Sequence, residues 1–304
     1  TQKFIVHTMD KQRMELKLVD IDQSVLNMLY FNESLQSADL AEVLRKFEKV
    51  VMHIDYPNDD FCYIIDDIET LKNQQLSNLK VICTISQKKT DEELVGNTII
   101  TSIVFDQSVE IIDDESFKGC TFLEEITIPS SVVQIGRFAF AECSLLTKLE
   151  IPSSVKKIDE SSFQSCSSLK KIKIPSSITS IPLSAFADCS SLRSVKLPST
   201  LTSIGSSSFE NCVLLNKIKI PSSVTTIKNS AFKGCTNLEK IEIPSNVNTL
   251  EDEVFSGCSS LSSVIVPSSI ASIGESTFSS CISLSSFEIP SSTSSIGKYA
   301  FRGC

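Results

Sequence analysis

The sequence predicts an α/β repeat solenoid: nine 23-residue units with a parallel sheet on the concave side, preceded by an N-terminal α/β cap. Three observations predict it. Cysteine recurs every 23 residues, at Cys120, Cys143, Cys166, Cys189, Cys212, Cys235, Cys258, Cys281 and Cys304. Phenylalanine stands three residues before each of these, from Phe117 to Phe301, and leucine three after, from Leu123 to Leu284. Proline closes a short apolar alternation in every unit, from Pro129 to Pro290. A fixed period of this kind marks units that bury their apolar faces only by stacking on one another.

Composition bounds the rest. With 304 residues, 41% hydrophobic and 21% charged, the chain is globular in composition and long enough for a sizeable core. No apolar run approaches the roughly 18 residues of a spanning helix, so no transmembrane segment is expected. A net charge of −9 disfavours nucleic acid and anionic membranes as partners. Only two histidines occur, His7 and His53, which argues against most histidine-based metal or acid–base sites.

Residues 1–95 do not repeat. They hold 11 Lys+Arg against 17 Asp+Glu, while the remainder holds 17 against 20. Apolar alternation predicts strands at 4–8, 14–19, 50–54 and 79–84, and helices at 21–30 and 38–47. The stretch 76–82 also reads as a divergent coil. This part is expected to be a cap, because an open solenoid end exposes apolar core and an unpaired strand edge. The solenoid then occupies 96–304. Its first unit is worn: Asn97 takes the cysteine position, Ile100 the leucine position, and Asp106 replaces proline.

The later units share one internal order. In the unit opened by Cys166, Ile172 and Ile174 alternate with lysine, the mark of a short strand with one buried face. Pro175 ends it, since proline donates no ladder hydrogen bond. Ser176 and Ser177 turn the chain by bonding to nearby backbone, and Ile178 and Ile181 point back inward. Ile181, Ala185, Phe186 and Cys189 then stand at spacings of 4, 5 and 8, which predicts a helix of about two turns.

The unit C-x-x-L-x-x-[IVLF]-x-[ILV]-P-S-[ST]-[VIL]-x-x-I-x-x-x-x-F-x-x resembles the BspA-like, or Treponema-type, leucine-rich repeat over residues 97–304. The resemblance implies a leucine-rich-repeat solenoid without enzymatic activity. It also implies a surface or secreted protein that binds matrix, host proteins or other cells. The sequence begins at Thr1 and shows no signal-peptide pattern, which keeps a cytoplasmic location open.

The cysteine column follows the phenylalanine column on the inward face, where cysteine packs as a small hydrophobe, so reduced core thiols are expected rather than metal or disulfides. Cys62 and Cys83 lie outside it and carry no motif. His7 and His53 have no nucleophile context, nine glycines supply no phosphate loop, and no cofactor is expected. Asn32, Glu33 and Ser34 form a glycosylation triplet that matters only in a secreted chain. The informative positions are the outward ones, four, five and seven residues after each cysteine. There Lys170, Lys171, Lys173, Arg193, Lys196, Lys217 and Lys219 make a basic strip, with Lys148 and Lys240 at its rim and Glu124, Glu125 and Glu239 beyond. The expected function is a binding scaffold that takes a protein with an acidic surface on this strip. The alternatives are a self-associating surface protein, pairing through an open solenoid end at Cys304, and an enzyme housed in the cap.

Overall fold

A computed structural model of the chain describes residues 3–8, 14–19, 49–56, 79–85, 90 and 94–304, with side chains from Ile82 onward. Four strands stand where alternation placed them: β1 (Lys3–Thr8), β2 (Met14–Val19), β3 (Lys49–Tyr56) and β4 (Leu79–Ile85). The helices expected at 21–30 and 38–47 lie outside the described residues, as does the start of the 76–82 stretch.

Past Asn97 the chain is a β-solenoid in which coils add short strands to two parallel ladders. The first ladder comprises β5 (Ser102–Phe105), β7 (Glu125–Thr127), β10 (Lys171–Lys173), β12 (Ser194–Lys196), β14 (Lys217–Ile218), β16 (Lys240–Glu242) and β18 (Ser263–Ile265). The second is made of three three-stranded sheets: β6 (Ile111–Ile112), β8 (Gln134–Ile135) and β9 (Lys157–Ile158); β11 (Ser180–Ile181), β13 (Ser203–Ile204) and β15 (Thr226–Ile227); and β17 (Thr249–Leu250), β19 (Ser272–Ile273) and β20 (Ser295–Ile296). Sequence analysis foresaw the first and not the second, because two-residue strands leave no alternation to read.

The N-terminal strands join the solenoid edge to edge. Six strands run in the order β2-β1-β3-β4-β5-β7, with β2 antiparallel to β1 and the other pairs parallel. Cys83 lies opposite Ile103 and Ile85 opposite Phe105, all four buried, so the apolar face of β4 continues that of the first coils. The ladder narrows at the coil opened by Cys143 to a single bridge between Glu125 and Lys148. It then resumes as the five-stranded sheet β10-β12-β14-β16-β18.

The helix expected between Ile181 and Cys189 is absent, and the α/β label does not describe the coils. Among the described residues the segment after each second-ladder strand is a run of turns. Ser184 and Asp188 adopt left-handed backbone, with φ of 50° and 59°. Each breaks the run of right-handed residues that a helix requires. Alternate amides instead point along the stack. Ser184, Phe186 and Asp188 donate to Ser206, Ser208 and Glu210 of the next coil at 2.8–2.9 Å, while Ala187 closes a turn onto Ser184 at 3.1 Å. The serines after proline also reach further than expected. Ser223 donates to the Leu201 carbonyl at 2.6 Å and Ser269 to that of Val247 at 2.7 Å, both in the preceding coil.

Two columns fill the centre. The phenylalanine rings from Phe117 to Phe278 are buried and stack at centroid separations of 5.3–5.6 Å, within 14° of parallel. Offset stacking of this kind adds to the area that aromatic rings bury. Beside it, each cysteine donates its thiol to a carbonyl one coil back. Cys143 bonds Phe117 and Cys212 bonds Phe186, each at 3.2 Å.

Candidate binding face

The basic strip lies on the first ladder. Each strand turns its middle residue, Ile172 or Val195, into the core and its flanking residues outward. All eight predicted basic residues, Lys170, Lys171, Lys173, Arg193, Lys196, Lys217, Lys219 and Lys240, are exposed. Parallel pairing sets them in rows across the strands. Lys171, Ser194, Lys217 and Lys240 make one row, each opposite the next. Lys173 stands opposite Lys196, and Lys219 takes the same repeat position just past the end of β14. Arg193 donates its amide to the Lys170 carbonyl at 2.9 Å, which starts a third row.

Adjacent strands are about 4.8 Å apart. Lysines at that spacing repel by about 0.8 kcal/mol in water before salt screening, and like charges directly opposed destabilise a sheet. Among the described residues none of the eight takes an ion pair. Bases elsewhere do. Lys118 meets Glu115 at 2.9 Å, Arg137 meets Glu160 at 3.0 Å, and Lys228 meets Glu251 at 3.0 Å. Lys233 lies 2.6 Å from Glu253; the carboxylate raises the pKa of the lysine and the ammonium lowers that of the glutamate. Glu150 and Glu242 occupy the Lys173 column at either end, both exposed.

The cysteine column is not a reactive site. Its thiols are free, and all but Cys304 are buried. Burial pushes the Cys120 and Cys281 thiols up to about 12 and those between them well above the usual thiol range. Among the described residues no group of three His, Cys, Asp or Glu could hold a metal. His7 and His53 stand opposite one another on β1 and β3. Sequence analysis missed a groove beside Gly274 and Gly297 on the second ladder. Two of its three acids are engaged within the protein: Glu251 pairs with Lys228 and accepts the Asn229 amide, and Asp252 accepts that of Glu275.

These features define a repeat protein of parallel strands that presents a charged sheet face. The chain belongs to the BspA-type leucine-rich-repeat family: the six-copy description "BspA type Leucine rich repeat region" matches residues 88–213 and again 179–304. Among solved structures, a leucine-rich repeat protein from Bacteroides ovatus is similar at 24% identity and a TM-score of 0.50, over 75% of this chain and 77% of that one. A leucine-rich cell surface protein from Faecalibacterium prausnitzii is similar at 26% identity and 0.48, over 75% of each chain. A Treponema pallidum leucine-rich repeat protein is similar at 27% and 0.44, over 60% of this chain and 78% of that one. No curated protein sequence matches. No helix among the described residues is long and apolar enough to cross a membrane.

Proposed function

We propose that the chain is a non-enzymatic binding scaffold that captures an acidic partner on the strand face of the coils opened by Cys166, Cys189 and Cys212. One observation supports this reading above the others: eight exposed bases share three rows without an ion pair, in a chain whose net charge is −9. Repulsion within the rows is a standing cost that an anionic ligand relieves. The family resemblance suggests a protein, matrix or cell-surface partner, and the basic strip calls for an acidic surface on it. The test compares the full chain with the variant Lys173→Glu, Lys196→Glu, Lys219→Glu on a panel of immobilised acidic proteins and polyanions at low salt. The native chain is expected to be retained and released as salt rises, and the variant to pass through. Equal retention of the two moves the site off this face.

Self-association is a second reading, favoured by exposed apolar side chains on the last coils: Ile282 (71%), Ile289 (52%) and Ile296 (48%). Its test is sedimentation across a concentration series, where a single concentration-independent species rejects it.

A further inference from the structure

The strip's dimensions and chemistry narrow the acidic partner. We infer that it is a linear sulfated polysaccharide, an inference that rests on the strip being the binding site. The row through Lys171 and Lys240 crosses three strand steps, about 14 Å, and the band from the Lys170 position to the Lys173 position is about 10 Å wide. A single extended chain lying across the strands meets one position of each row every 4.8 Å or so.

Other anionic partners fit less well. Protein interfaces centre on buried aromatic or aliphatic anchors. Between Lys170 and Glu242 the outward positions carry only lysine, arginine, serine, asparagine and glutamate, so the strip itself has no such anchor; the exposed Ile265 stands one strand beyond, opposite Glu242. Single-stranded nucleic acid stacks its bases on aromatic side chains, and none stands here. Duplex DNA is broader than the band, its major groove alone being about 12 Å wide. Its outer phosphates would therefore lie past the bases on either side of the band, while the exposed acids Glu124, Glu150, Glu239 and Glu242 close the strip at its ends. A sulfated glycan needs neither anchor nor platform. Its sulfates stay ionised at any physiological pH and offer several acceptor oxygens to the three donors of each ammonium and the fork of Arg193. The acids at both ends of the strip limit the contact to a short stretch of polymer.

The test uses the full chain and four probes of matched length or charge: a heparin-derived oligosaccharide, an unsulfated hyaluronan oligosaccharide, polyglutamate and duplex DNA. The sulfated probe is expected to bind at least tenfold more tightly than each of the others. Its log Kd should vary linearly with log salt. Removing three contacts by Lys173→Gln, Lys196→Gln, Lys219→Gln should reduce that slope by about 2–3, with the melting temperature showing that the fold is kept. Lys156→Glu, an exposed position off the strip, should change the slope by less than one contact. Hyaluronan, polyglutamate or DNA binding as tightly as the sulfated probe, with the strip variant still defective, overturns the glycan and keeps the binding face. Undiminished binding of the sulfated probe by the variant, or no binding of any probe at low salt, overturns both.

Discussion

At the scale of single residues, the thiols make the sharpest prediction. Alkylation of the native protein mapped by mass spectrometry should modify Cys304 and leave Cys120 through Cys281 untouched until the chain is unfolded. Labelling of several buried members at the rate of Cys304 would contradict the packed column. The same burial makes stability depend on pH. A thiol held neutral in the fold but able to ionise once unfolded binds its proton more tightly in the native state. The contribution is therefore complete below the ordinary thiol value of 9.0 and falls as pH rises toward about 12, where Cys120 and Cys281 ionise in the fold. Each such thiol contributes a slope of up to about 1.4 kcal/mol per pH unit, and denaturant melts between pH 8 and 11 should record the decline. The inward place of these residues was legible in the sequence, since cysteine keeps step with phenylalanine. Their bonds to carbonyls such as Phe186 were not, because the acceptor lies 26 residues away.

At the scale of the coil, Phe209→Ala is expected to cost about 3–5 kcal/mol, because both neighbours, Phe186 and Phe232, lose a stacked ring and the coil cannot collapse into the space. Calorimetry checks this. Lys196→Glu should act in the opposite sense. It places a carboxylate opposite Lys173 and stabilises by about 0.5 kcal/mol at low salt, an effect that fades as salt rises. A destabilised variant would mean that lysine at that position does more than face water. The strand with its outward lysines was readable from alternation, and their register followed from the fixed period. The turn segment was misread because inward residues spaced 4, 5 and 8 apart suit a helix and a string of turns alike. A signal was present in the position before each cysteine. At six of the nine such positions stand Gly119, Asp188, Asn211, Gly234, Gly257 and Gly303, types that enter the left-handed region readily; Glu142, Ser165 and Ser280 take the other three, and all nine adopt it here.

At the scale of the whole chain, stability is close to a sum of coil and neighbour terms. β5 is paired on one side by β4 and on the other by β7, so a chain beginning at Asn97 would bare one edge of β5 and the buried face behind it. Such a chain is expected to melt at lower temperature and to associate with rising concentration. Unchanged melting and a monomeric state would show that the N-terminal strands are dispensable. The repeat made the solenoid legible and the 76–82 stretch pointed to a further coil before it, whereas the register of β4 on β5 was not readable, because β4 lies outside the period. One feature of the stack reaches beyond its stability. Thiols and the hydroxyls of Ser223 and Ser269 donate backward, while the amides of Ser184, Phe186 and Asp188 donate forward. Every coil therefore has a head and a tail that are chemically unlike, and the molecule has a polarity as definite as that of a ratchet. A copy joined tail to head would make a heterologous contact that does not close on itself, whereas a copy turned tail to tail would pair its edge antiparallel and close as a dimer. If copies assemble in the first way, light scattering should record open-ended growth with concentration; a plateau at the mass of two chains marks the second.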